Sequence, residues 1–275
     1  QHFRSLSDLD RYFCTLEERE EYEPILEMGI PLFAGVDYEM VLEMAQREGD
    51  VLLWDGGNND LPFIRPDLQI VLVDPLRAGD ERAYFPSLVN LRCAQVIVIT
   101  KVEDATKKGL ALLRANIARD NPSASIVEGS LDVCVTDPER IRGARVVVVE
   151  DGPTLTHGGI LFGAGVVAAR RYGAGEIVDP RPYALGSLVE TYREYPHLCQ
   201  VVPAMGYNEA QIDHLKHTLE SIPCDLVICA TPVDLQKILK LERPVIRVTY
   251  SFSEVKGTLL DETVDDFLSR SGCSS

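Results

Sequence analysis

The chain has 275 residues, 45% hydrophobic and 25% charged, enough to bury the core of one large domain or two of ordinary size. Its formal charge of −16 argues against general nucleic-acid or anionic-membrane binding, which needs a basic face. No stretch approaches the roughly 20 apolar residues of a membrane span, no signal peptide is read, and seven scattered cysteines form no CxxC pair, so the expected setting is reducing and cytoplasmic, without a zinc site or disulfide framework.

Along the chain, short Val- and Ile-rich runs alternate with segments of helical period, the pattern of parallel sheets covered by helices on both faces. Strands are expected at 30–35, 50–55, 69–74, 95–100, 124–129, 145–151, 176–179, 199–204, 224–230 and 244–250. Helices are expected near 37–48, 104–119, 160–172, 207–221, 233–240 and 260–270. The stretch "DPERIRG" interrupts the strand pattern at 137–143. This suggests an α/β unit over 1–142, read as a partial P-loop NTPase-like nucleotide-binding unit, and a Rossmann-like unit over 143–275.

In the first half, "VLLWDGGNND" reads as a buried strand ending in Asp55. A carboxylate at such a strand end either holds a phosphate-bound Mg²⁺ or caps the next turn; Asn58, Asn59 and Asp60 then stand where a metal-bound water would be oriented. Next, "QVIVITKVEDA" sets Thr100, Lys101, Glu103 and Asp104 after another buried strand. The run resembles the N/T-K-x-D element by which guanine-binding P-loop proteins grip the base, with Glu103 in place of the aspartate. A solvated helix start is the alternative. The phosphate-cradling loop G-x-x-x-x-G-K-S/T is not in the sequence, and the chain begins at Gln1. A missing N-terminal segment carrying that loop is therefore expected.

The second half centres on "VEDGPTLTHGG" and "FGAGVVA". Thr154, Thr156 and His157 are short donors, Gly158 and Gly159 let backbone amides approach a ligand, and Gly163 and Gly165 open a helix whose N-terminus favours an anion. Gly163, Gly165 and Ala168 also satisfy G-x-G-x-x-A, with Asp179 about where a ribose acceptor would stand. However, a dozen residues separate the strand from the glycines, whereas a dinucleotide fingerprint follows its strand directly. Arg170, Arg171, Arg181 and His197 lie nearby in sequence as supporting charges. In "ATPVDLQKIL", Thr231, Pro232 and Asp234 read as N-cap, N1 and N3 of a helix.

The strings "CTLEEREEYEP", "AGVDYEMVL", "WDGGNNDLPF", "VLVDPLRAGDE", "VEDGPTLTHGG", "GAGEIVDPRPYALGS", "YPHL", "PAMGY" and "ATPVDLQKIL" together resemble the cyclic 2,3-diphosphoglycerate synthetase family, in order from Gln1 to about Tyr250. The resemblance implies an ATP-dependent ligase that closes 2,3-bisphosphoglycerate, or a related phosphorylated metabolite, into a cyclic phosphoanhydride, this chain being its C-terminal portion and inactive alone. On that reading Asp55 holds Mg²⁺. Thr100, Lys101, Glu103 and Asp104 bind ATP or GTP. Thr154, Thr156, Gly158, Gly159, Gly163, Gly165, Arg181 and His197 bind phosphate, and Asp151 and His157 are catalytic. A regulatory GTPase and a non-catalytic phosphate-binding module are the alternatives. A homodimer is expected only as the commonest soluble assembly.

Overall fold

The computed structural model of the chain describes residues 1–275 except 58–59, 153–154, 157–160, 205–207, 233, 258 and 273–275. It is a mixed α/β fold built on parallel strands with helices around them, as the alternation of apolar runs and helical periods leads one to expect. The chain forms two compact units: Gln1–Ala34 with Val133–Tyr250, and Gly35–Asp132 with Ser251–Ser275. Where the sequence suggested 1–142 and 143–275, each unit draws on two separate stretches.

In the first unit, β6 (Arg145–Asp151) is the central strand. It pairs in parallel with β9 (Leu226–Ala230) on one side, and β9 in turn pairs with the start of β10 (Val245–Gly257). On its other side β6 pairs first with β7 (Glu176–Ile177) and, beyond it, with β8 (Val202–Ala204). Val146 through Val149 are fully buried, because a parallel strand flanked on both faces has no polar side to offer. Val166, Ala168 and Ala169 of the helix Ala164–Arg171 complete this core, together with Leu215 and Leu219 of the helix Glu209–Ser221. A short antiparallel pair, β1 (His2–Phe3) with β2 (Leu32–Phe33), lies over a small core of Phe3, Leu9 and Leu26.

The second unit orders β3 (Ile70–Val73), β4 (Val96–Ile99) and β5 (Ser125–Val135) in parallel, with the 251–257 stretch of β10 beside β5. One face carries Ile97 and Ile99 against Leu113 and Ile117 of the helix Lys107–Asp120. The other carries Val96, Val98 and Val127 against Leu260. The expected strand at 50–55 is not formed. Val51–Trp54 is irregular and Leu53 is 83% exposed, while Trp54 meets Phe63 edge-on, with ring centroids 4.7 Å apart. The helices Leu6–Arg11, Leu16–Glu27, Asp80–Ala83, Phe85–Cys93 and Ser187–Glu194 were not expected. Among the described residues no helix is long and apolar enough to cross a membrane.

Candidate functional site

Parallel sheets present their ligand crevices at the carboxyl ends of the strands. Among the described residues of the first unit, that end includes the last two residues of β6, whose side chains alternate between opposite faces. Glu150 is 3% exposed and turns toward the helix Ala164–Arg171. Its Oε2 accepts the Gly163 amide and its Oε1 the Val166 amide at 2.9 Å. Burial pushes this carboxyl up from the usual carboxylate range; the amides of Val166, Gly163 and Gly165 pull against it, and the charge of Asp151 adds to the rise.

Asp151, half-buried, sits opposite Ala204 of β8. Burial raises the Tyr250 phenol above its ordinary range, and the charges of Asp151 and Glu20 raise it further. Glu20 itself is buried. Thr231, past the end of β9, is buried with its hydroxyl 3.6 Å from the Cys229 sulfur. It does not cap the following helix: the N-cap is Asp234, whose carboxylate accepts the Lys237 amide, because the helix begins only at Leu235. Arg247 donates to the Pro232 carbonyl at 2.9 Å and lies 4.0 Å from Asp234.

Several residues assigned from sequence to phosphate are already engaged. The Gly163 amide is held by Glu150, and a Cβ at Gly165 would meet Val148 Cγ1 at 2.5 Å, so this glycine serves close helix–strand packing. Thr156 donates its hydroxyl to the Gly152 carbonyl at 2.9 Å. Arg181 clamps Asp179 through Nε and Nη2, at 2.9 and 2.6 Å, and gives Nη1 to the Pro196 carbonyl. The Arg181 hydrogen bonds hold the Asp179 carboxyl below its usual range, so Asp179 is an arginine partner in place of a ribose acceptor. Beside that latch, Nε2 of His197 is buried with no hydrogen-bond partner among the described residues. Arg170 and Arg171 stand in the last turn of their helix; Arg170 reaches Gln200 and lies over the Phe162 ring, 4.4 Å from its centroid, and Arg171 reaches the Val133 carbonyl. Thr154, His157, Gly158 and Gly159 lie outside the described residues, as do Asn58 and Asn59.

In the second unit, the carboxyl ends of β3 and β4 bring together Asp74 and Lys101 at 2.7 Å. Lys101 is in the left-handed region, with φ of 52°, an uncommon conformation for a side-chain-bearing residue. Thr100 is buried and donates to the Val73 carbonyl at 3.3 Å. The Val102 amide reaches the Gly129 carbonyl and the Asp104 amide closes a turn on Lys101. Ser130, at the end of this sheet, is 4% exposed, and its hydroxyl finds no partner among the described residues. Glu103 and Asp104 are exposed. So is Asp55, which stands in irregular chain; among the described residues no three His, Cys, Asp or Glu side chains surround a common point. One carboxylate suits a Mg²⁺ held mainly by nucleotide phosphates.

Sequence reasoning missed Glu150, Asp74, Glu20, Tyr250 and Ser130. Asp74 carried the same signal that singled out Asp55, an apolar run ending in an acid, and Glu150 stood out as a charge closing four valines.

No family model matches the chain. It is 50% identical over 267 residues, 97% of its own length, to a protein named arginine synthetase ArcE from Thermococcus kodakarensis. The chain spans 60% of that relative's length. This similarity overturns the resemblance to the cyclic 2,3-diphosphoglycerate synthetase family, and with it cyclisation of 2,3-bisphosphoglycerate. Neither the GTPase nor the phosphate-module alternative gains support, and nothing supports a P-loop unit: the strand that was to present Asp55 is absent.

Proposed function

We propose that this chain forms part of an arginine synthetase, a ligase-type enzyme. The observation that carries the reading is the 50% identity to a protein of that name, sustained over 97% of the chain. The chemistry of the first unit supports it. Arginine presents a guanidinium and an ammonium group, and carboxylates recognise both through charge-assisted hydrogen bonds, bidentate in the guanidinium case. Asp151, half-buried at the end of β6, is proposed as a carboxylate for such a cation. In the second unit the turn of Thr100, Lys101, Glu103 and Asp104 is proposed as the nucleotide subsite, for ATP with Mg²⁺, and Asp55 as the carboxylate for that ion.

The test is nucleotide-dependent turnover of arginine by the longest natural form of the protein, followed by mass spectrometry in both directions. Asp151→Asn keeps the shape of the side chain and removes the charge. Losing one charge-assisted contact weakens binding by roughly 1.5–3 kcal/mol, so the KM for arginine is expected to rise about 10- to 100-fold. Lysine, which keeps the ammonium but lacks the guanidinium, serves as the control ligand. No arginine-linked nucleotide turnover at all would refute the proposal.

A further inference from the structure

The run "FGAGVVA" has the glycine spacing of a phosphate-binding turn, but in the folded chain that turn already holds an anion of its own. Glu150 projects from the end of β6 under the first turn of the helix Ala164–Arg171, and each carboxylate oxygen takes one amide from that turn, Gly163 on Oε2 and Val166 on Oε1. The glycines fit around the carboxylate. A Cβ on Gly163 would lie 2.9 Å from Oε2, and one on Gly165 would lie 3.0 Å from Oε1 and 3.1 Å from the Ala230 Cβ. A helix N-terminus stabilises negative charge through its unpaired amides and its dipole, and a ligand phosphate uses the same amides in dinucleotide folds. Here the Gly163 and Val166 amides are taken by Glu150, which is itself buried.

We infer that Glu150 is a built-in anion that fills the phosphate seat of this strand–helix turn, closing it to nucleotide phosphates and fixing the end of β6 from which Asp151 projects. Glu150 is thus a positioning residue. Its neighbour in sequence points to the opposite face of the sheet, and the helix is tied to the strand through the Gly163 and Val166 amides. Position 150 lies opposite Ala230 of β9 and Pro203 of β8, so the carboxylate is anchored at the middle of the sheet and not at a loose edge.

The experiment is chemical rescue. Glu150→Ala empties the seat and deprives the Gly163 and Val166 amides of their acceptor. Its thermal midpoint is expected to fall by roughly 5–10 °C. Sodium formate, a carboxylate small enough for the vacated space, should recover at least half of that loss in a concentration-dependent way. Sodium chloride at matched ionic strength should not, and wild type should gain nothing from formate beyond its chloride response. Glu150→Gln, which refills the space, should be insensitive to formate as well. If Glu150→Ala is too unstable to isolate, refolding with and without formate reads the same property, and recovery only in formate supports the seat. An unchanged midpoint in Glu150→Ala, a formate effect equal in wild type and variant, or no formate effect in the variant overturns the inference. So does binding of inorganic phosphate to wild type that Gly163 and Val166 amide shifts in NMR report.

Discussion

At the scale of single residues, Lys101 is the position where conformation and chemistry are most at odds. A non-glycine residue in the left-handed region costs about 1 kcal/mol, and such outliers gather where function holds them. Its ion pair with Asp74 offsets at most about that much, since partly exposed side chains gain about 0–1 kcal/mol from pairing. Two substitutions separate the terms. Lys101→Ala loses the ion pair and keeps the strain, whereas Lys101→Gly loses the pair and relieves it. Lys101→Gly is therefore expected to be the more stable of the two, by roughly 0.5–1 kcal/mol in urea titrations. Both should show the same rise in the nucleotide KM if the lysine side chain grips the ligand. Should the two variants bind nucleotide as wild type does, Lys101 has no part in that subsite and its backbone conformation serves the turn alone.

At the scale of elements, the contact between β6 and the helix Ala164–Arg171 is a close joint of the first unit. An added methyl at Gly165 would stand 2.5 Å from Val148 Cγ1 with no flexible side chain to displace, so Gly165→Ala must lift the helix from the strand. Overpacking of this kind costs about 1–3 kcal/mol. Gly143→Ala is the control, because nothing lies within 4 Å of a Cβ there and only its φ of 72° opposes the change. Gly165→Ala should lower the urea midpoint more than Gly143→Ala, and the reverse order would mean that the helix seats less closely than drawn. The strands forming these joints were legible because short, continuous β-branched runs such as 146–149 fit buried parallel strands. The same rule misread 50–55. An apolar run announces a strand only if a neighbour accepts its backbone hydrogen bonds, and here Trp54 packs on Phe63 and Tyr38 instead. The helix Leu16–Glu27 escaped notice because its acidic composition hides the apolar stripe, although its capping box, Thr15 with Glu18, was present in the sequence. Strand-end acids could be seen as positions, but not as roles. Glu150 and Asp151 are adjacent acids, and only the fold turns the first onto backbone amides and leaves the second at the strand end.

At the scale of the whole molecule, one quantity acts on both stability and recognition. A formal charge of −16 repels itself in the compact state, and dissolved salt screens that repulsion over about 10 Å at 0.1 M. Stability measured as the thermal midpoint should therefore rise between roughly 10 and 150 mM sodium chloride. The same negative field draws in a cationic ligand, and screening weakens that attraction, so the association rate for arginine should fall over the same range. The two trends run in opposite directions from a single cause. An uncharged amino acid separates them, since its association should be indifferent to salt while the midpoint still climbs. If the midpoint instead falls with salt, local ion pairs such as Asp120 with Arg82 and Arg92 outweigh the net repulsion. If the midpoint rises but arginine association does not slow, the acidic character of the chain serves solubility alone and the cation enters by another face.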